Sequence, residues 1–184
     1  MIIGVTGRIG SGKGELSKYL AGNGFYRLAF GDEVRKEALL RGITETRENL
    51  QKLGYMLREG KEECIWTRRL VDQVKAKHDY IVDGFRYPDQ VELFNKRFEN
   101  FYLIAVDASE ELRYERLKRR GREGDPKTWE EFWVQDGMDW IGYLNNSGQN
   151  TRGCFYLADR KIENNNSLDN FRDKINDFVG ELLC

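Results

Sequence analysis

A glycine-rich loop near the start of the chain restricts its fold more than any other segment. The loop follows an apolar run over residues 1–6, which is typical of a buried strand. After the loop, Leu16 and Leu20 have the spacing of one face of a helix. The loop residues fit the pattern G-x-x-x-x-G-K: Gly7-Arg8-Ile9-Gly10-Ser11-Gly12-Lys13-Gly14. In this strand–loop–helix context the pattern predicts a phosphate-binding loop.

The residue types in this loop suit a polyphosphate tail. Glycines let the backbone N–H groups turn inward, and the start of the next helix adds partial positive charge. Lys13 adds a full charge between the β and γ phosphates, where charge shifts during transfer. We predict Lys13 as a catalytic residue. The predicted ATP-binding residues of the loop are Gly7, Arg8, Ile9, Gly10, Ser11, Gly12, Lys13, Gly14 and Glu15.

Strand-like and helix-like segments alternate along the rest of the chain. Further strands are predicted over residues 25–30, 80–83, 101–106 and 160–163. The helices between them include one over residues 32–41 and a long helical stretch that breaks near Gly60. Ser109 is a predicted N-cap, and Thr128 with Glu131 forms a capping-box pattern. Strands separated by helices indicate a parallel sheet covered on both faces, with ligands at the carboxyl ends of the strands.

The composition predicts a single globular domain without a nucleic-acid or membrane partner. The chain has 184 residues, of which 40% are apolar, and a net charge of −1. A nucleic-acid partner would demand a basic surplus, and the apolar runs are too short to span a membrane. The N-terminus shows no basic leader. Cys64, Cys154 and Cys184 do not resemble a disulfide framework, and His78 has no Cys/His cluster for zinc, so we expect a cytoplasmic protein.

A second motif follows the predicted strand at residues 80–83. This apolar strand brings Asp83 to the carboxyl edge of the sheet, beside the phosphate loop, where a carboxylate can hold Mg²⁺ through water. Arg86, three residues further on, can bind an acceptor phosphate with its bidentate guanidinium. Alternatively, Asp83 is a simple turn residue at the end of the strand.

Several segments resemble those of P-loop nucleoside and deoxynucleoside monophosphate kinases. Gly12-Lys13-Gly14 is similar to the Gly-Lys-Gly-Thr loop of adenylate kinases, and residues 83–88 are similar to the Asp-x-Arg-Phe-Pro stretch of phage-type deoxynucleotide kinases. Residues 25–35 also resemble dephospho-CoA kinases. The resemblance implies a three-layer α/β/α fold with a five-stranded parallel sheet in the order 2-3-1-4-5 and a small helical lid. It also implies one domain over residues 1–184, with an acceptor-binding region at about 32–77 and a lid at about 113–155.

The resemblance further implies which residues bind the acceptor. Asp32 would orient or deprotonate the acceptor oxygen, and Arg35 would bind its phosphate together with Arg86. Gln51 would contact the base or sugar. Two alternatives stay open at this point, since Asp32 equally suits a helix N-cap and Gln51 suits the polar face of an amphipathic helix.

An arginine-rich helix is expected at the entry to the lid. Spacings of three and four place Arg113, Arg116 and Arg120 on one helix face, which can close over a triphosphate. We predict Arg116 and Arg120 as catalytic residues, and expect about half of the arginines in this helix to be solvated surface charges. By the same resemblance, Asn164 is a predicted contact for the adenine of ATP.

The predicted function is ATP- and Mg²⁺-dependent phosphoryl transfer to a small nucleotide, the (deoxy)nucleoside monophosphate. Glu15 stands where the kinase loop carries Thr, so we expect the metal to be held by water, phosphates and an acid elsewhere. A dephospho-CoA kinase is one alternative, and a nucleotide-binding regulatory P-loop protein is another. Whether the protein is a monomer or a homodimer, and whether ATP or GTP is the donor, stays open at this point.

Overall fold

Five parallel strands form the central sheet of the computed structural model, which describes residues 1–58, 65–142 and 149–183. The strands are β1 (Ile2–Gly7), β2 (Tyr26–Ala29), β3 (Tyr80–Asp83), β4 (Phe101–Asp107) and β5 (Arg160–Glu163). Their order across the sheet is β2-β3-β1-β4-β5, and each neighbouring pair is parallel. The predicted order 2-3-1-4-5 is therefore confirmed.

Helices follow or separate the strands, as the alternation of segments predicted. They are α1 (Lys13–Gly22), α2 (Phe30–Leu40), α3 (Arg47–Arg58), α4 (Ile65–Val71), α5 (Pro88–Arg97), α6 (Glu110–Arg120), α7 (Trp129–Ile141), α8 (Thr151–Leu157) and α9 (Leu168–Leu183). The Ser109 hydroxyl accepts from the N–H of Leu112 and starts α6. Thr128 and Glu131 form the capping box of α7, as predicted.

Side chains from the two faces of the sheet enter two separate cores, because successive strand residues point to opposite sides. Ile2 lies in one core, with the helical residues Trp66, Leu70, Val91, Phe94 and Cys154. Its neighbour Ile3 lies in the other, with Leu16, Leu20, Phe171 and Ile175. Helices α4, α5 and α8 thus cover one face, and α1 and α9 cover the other. These are the three layers that the resemblance implied.

The structure differs from the sequence-based expectations at two helices. Helix α2 begins at Phe30, two residues before the predicted start at Asp32, and the buried Phe30 ring packs on Phe85 with centroids 5.0 Å apart. Helix α8 was not predicted. The expected break near Gly60 lies outside the described residues, although the helices on either side of it are present.

The carboxyl ends of the strands meet at one edge of the sheet, where the glycine-rich loop also lies. Val5 pairs with Asp83 in β3, and Gly7 pairs with Val106 in β4. Throughout the described ranges, no helix combines the length and apolar character needed to cross a membrane. Cys154 is a free, buried thiol, whereas Cys64 and Cys184 lie outside the described residues.

Candidate active site

The glycine-rich loop connects β1 to α1 and is closely packed against the residues behind it. Gly10 has a φ of 73°, and a Cβ atom there would lie 2.5 Å from the carbonyl oxygen of Arg113. Gly12 has a φ of 108°, and a Cβ atom there would lie 2.3 Å from Nδ2 of Asn164. A side chain at either position would be strained by its backbone and would collide with a neighbour. Packing therefore requires glycine at both motif positions.

Lys13 opens helix α1, and its ammonium group turns back over the loop. Nζ donates to the carbonyl oxygens of Gly7 and Arg8, each at 2.7 Å. Burial is the largest cause that lowers the pKa of Lys13 from 10.5 to about 8, and the charge of Arg86 lowers this pKa further. A phosphate oxygen beside Nζ would favour the charged form and raise the pKa again. The loop thus holds a partly desolvated cation that an anion would stabilise.

Four charged side chains lie close enough to Lys13 to shift its pKa. Arg86 and Arg120 lower this pKa, whereas Asp83 and Asp139 raise it. Arg86, Arg120 and Asp83 were predicted as site residues from the sequence, whereas Asp139 was not. The four side chains come from the end of β3, the loop after it, the end of α6 and helix α7. The fold therefore brings together residues more than a hundred positions apart at the end of the phosphate loop.

Asp32 connects two arginines on the predicted acceptor side. Its carboxylate accepts from Arg27 at 2.7 Å and from Arg35 at 2.9 Å. Arg27 also approaches the Asp83 carboxylate at 3.7 Å. Ala29 is the N-cap of α2 and Asp32 lies in the first turn, so the N-cap alternative for Asp32 is wrong. Asp32 is instead positioned to orient guanidinium groups.

Arg86 and Gln51 differ in how firmly the structure holds them. The N–H of Arg86 donates to Oε1 of Gln90 at 2.9 Å, and its carbonyl accepts from the N–H of Asn150 at 2.8 Å. The Arg86 backbone is therefore fixed while its side chain is exposed. Gln51 is an exposed residue on α3. The acceptor contacts of both residues stay predictions.

Arg116 and Asn164 hold the phosphate loop through hydrogen bonds. Arg116 Nη2 donates to the carbonyl of Asn164 at 2.7 Å, and the buried Asn164 amide donates to the carbonyl of Ser11 at 2.9 Å. Burial is the main cause that lowers the pKa of Arg116, with a contribution from Arg119. The amide group of Asn164 is thus engaged with the loop, and its contact with adenine stays a prediction.

A buried ion-pair network that sequence reasoning missed ties the loop to helices α6 and α7. Arg113 is fully buried and donates to Asp136 at 2.7 Å and to the carbonyl of Ile9 at 3.3 Å. The same carboxylate pairs with Arg8 of the loop at 2.5 Å. Because these partners are far apart in sequence, no local pattern could have revealed the network. By contrast, Arg120 is exposed and donates to Asp125 at 2.8 Å.

Asp83 and the open space at Gly14 fit a magnesium ion held through water. Across the described residues, no group of three or more His, Cys, Asp and Glu side chains is placed to hold a metal ion directly. A Cβ atom at Gly14 would meet no atom within 4 Å, which leaves room for water where a hydroxyl ligand would lie. A carboxylate with ordered waters is a usual environment for Mg²⁺.

Comparisons with known proteins identify the family of this chain. A family model described as an AAA domain matches residues 3–135. A UPF0200 protein from Thermococcus kodakarensis is 34% identical over 189 residues, and the match covers 100% of this chain and 98% of that protein. The chain belongs to the UPF0200 family and carries an AAA domain.

This UPF0200 chain also has the fold of P-loop kinases. A shikimate kinase from Acinetobacter baumannii, solved in complex with shikimate, matches with a TM-score of 0.64 and 17% identity, covering 99% of this chain and 92% of that chain. A gluconokinase from Sinorhizobium meliloti matches with a TM-score of 0.60 and 13% identity, covering 98% and 91%. At such low identity the likeness is one of fold.

Proposed function

We propose that the protein transfers the γ-phosphoryl group of ATP to the phosphate of a (deoxy)nucleoside monophosphate, giving the diphosphate. The observation that carries this proposal is the convergence of three cations, Lys13, Arg86 and Arg120, at the end of the phosphate loop. The charges of Arg86 and Arg120 both lower the pKa of Lys13, and several phosphate groups would compensate three such cations best.

The donor would bind along the loop and the start of α1. The backbone N–H groups of the loop and the ammonium of Lys13 would hold the β and γ phosphates. Arg116 and Arg120 would neutralise charge that spreads over the transferred group. Mg²⁺, when bound, would supply further charge neutralisation between the phosphates, and Asp83 would hold it through water. Donor binding and lid closure are the roles we propose for residues 113–155.

The acceptor would bind on the side of the sheet edge formed by α2 and the loop after β3. Arg35 and Arg86 can each bind a phosphate in a bidentate manner. Asp32 would orient Arg35, since their side chains are 2.9 Å apart. Two arginines favour an acceptor that itself carries a phosphate over a neutral alcohol. Acceptor binding is the role we propose for residues 32–77.

An acceptor panel tests the proposal. The full-length protein would be incubated with ATP, Mg²⁺ and each of the common nucleoside and deoxynucleoside monophosphates, and formation of ADP and of the new diphosphate would be followed by chromatography. Lys13→Ala serves as the inactive control. We expect at least one monophosphate to be converted to its diphosphate in an ATP-dependent reaction.

Two results would contradict the proposal. Conversion of dephospho-CoA alone would indicate transfer to a hydroxyl acceptor. Tight ATP binding without transfer to any acceptor would indicate a regulatory nucleotide-binding protein. Isothermal titration calorimetry with ATP, run beside the turnover assay, distinguishes the two outcomes.

A further inference from the structure

An ion pair joins the predicted acceptor-binding region to helix α7. Arg47, the first residue of α3, approaches Oδ2 of Asp139 with Nη2 at 3.4 Å. The two residues are 92 positions apart. The Asp139 side chain is 12% exposed and that of Arg47 is 31% exposed. This contact therefore joins the start of α3, in the predicted acceptor-binding region, to α7, in the predicted lid region.

Asp139 lies within electrostatic reach of both halves of the candidate active site. Its charge raises the pKa of Lys13 in the phosphate loop. It also contributes to raising the pKa of Tyr87, beside the predicted acceptor ligand Arg86, for which burial is the largest cause. The carboxylate that pairs with Arg47 is thus close enough to the phosphate loop and to the predicted acceptor side for its charge to act on both.

The Arg47–Asp139 pair is loose compared with a strong charge-assisted hydrogen bond. Such bonds between nitrogen and a carboxylate oxygen usually measure about 2.7–2.9 Å, and this distance is 3.4 Å. The stem of Arg47 lies beside Gly124, where an added Cβ atom would be 3.2 Å from the Arg47 Cβ and 3.3 Å from its Cδ. The Arg47 guanidinium, whose side chain is 31% exposed and which lies 3.4 Å from its carboxylate, can therefore exchange this partner for another anion.

We propose that Arg47 is a further ligand of the acceptor phosphate, and that Asp139 is a built-in anion that occupies this ligand until the phosphate replaces it. This inference rests on the proposed function, and it adds to it a binding residue and an autoinhibitory contact. A phosphate group offers the planar guanidinium two oxygens at once and carries more charge than a carboxylate. Phosphate can therefore displace Asp139, whereas a neutral alcohol cannot.

A binding experiment with inorganic pyrophosphate tests this exchange on the full-length protein. Asp139→Asn keeps the size of the side chain and removes its charge, so isothermal titration calorimetry should show pyrophosphate binding roughly tenfold tighter than in the wild type. Arg47→Gln should bind pyrophosphate roughly tenfold weaker. In the double variant, the gain from Asp139→Asn should shrink, because the arginine that it frees is absent.

Asp169→Asn is the matched control, since Asp169 pairs with Arg172 at 3.5 Å on the exposed surface of α9. This variant should bind pyrophosphate as the wild type does. Equal or weaker binding by a folded Asp139→Asn protein would overturn the inference and leave the proposed function standing. Should that variant fail to fold, unchanged binding by Arg47→Gln would overturn the inference instead. If the wild type binds neither pyrophosphate nor ATP, the proposed function itself is wrong.

Discussion

Asp136 is the residue whose replacement should destabilise the fold most clearly without altering the phosphate-loop sequence. Its side chain is 4% exposed and pairs with two arginines, one of which, Arg113, is 1% exposed. Asp136→Asn removes the negative charge and keeps the shape. The positive charge of Arg113 cannot move to solvent, so it would remain buried with less compensation.

The expected loss of unfolding free energy depends on the contacts that Arg113 would keep. Removing one partner of a buried ion pair costs about 3–5 kcal/mol. Arg113 would retain the carbonyl of Ala108 at 3.0 Å, and more distant carboxylates at 3.6 Å (Asp107) and 3.9 Å (Glu110). We therefore expect Asp136→Asn to lower the free energy of unfolding by about 3 kcal/mol, the lower end of this range. For a chain of this size that corresponds to a melting temperature lower by roughly 6–12 °C.

Urea denaturation followed by circular dichroism, together with calorimetric melting, measures this effect. Asp169→Asn removes the same charge from an exposed ion pair and should change the unfolding free energy by less than about 0.5 kcal/mol. A loss below about 1 kcal/mol for Asp136→Asn, equal to that of a surface pair, would refute the argument that this network is buried and tightly coupled.

Three further predictions concern Lys13, the loop glycines and Cys154. Lys13 in the free protein loses its proton above about pH 8, and phosphate binds the charged form. The dissociation constant for ATP should therefore rise by up to about tenfold per pH unit between that value and the higher pKa of Lys13 in the ATP complex. A flat profile from about pH 7 to 10 would contradict this. The unfolded chain keeps that proton up to about 10.5, so this group makes the fold more stable as pH rises between the two values. Gly12→Ala should lower the free energy of unfolding by at least about 2 kcal/mol, because Gly12 has a φ of 108° and lies against Asn164. Gly14→Ala, by contrast, has open space around it and should leave this free energy unchanged or raise it. Urea denaturation measures both effects. Burial raises the pKa of Cys154 to about 12, so mass spectrometry should detect its alkylation only after unfolding; fast labelling of the native protein would show that the thiol is accessible.

The parts of this structure that sequence could predict are those that depend on near neighbours. The strand, loop and helix around Lys13 are contiguous, and each has its own local pattern. The same is true of the Ser109 cap and the Thr128–Glu131 capping box. Asp83 could be placed beside the loop because the carboxyl ends of parallel strands meet at one edge.

Residues whose role depends on distant partners could not be predicted. Asp136 stands in a helix with exposed Trp133 and Val134 beside it, and its partner Arg8 is 128 positions away. Nothing in the local pattern distinguishes it from a solvated acid. Helix α8 spans only seven residues, too few for a periodic pattern to indicate it.

The support of the phosphate loop extends well beyond the segment that carries its motif. Asp136 and Asn164 both lie outside residues 3–135, the range matched by the family model. A fragment that ends at residue 135 would contain the whole glycine-rich pattern. It would lack the Asp136 carboxylate that pairs with Arg8 and the Asn164 amide that donates to the carbonyl of Ser11. The shape of the phosphate loop in this protein therefore depends on its carboxyl-terminal third as well as on its first fourteen residues.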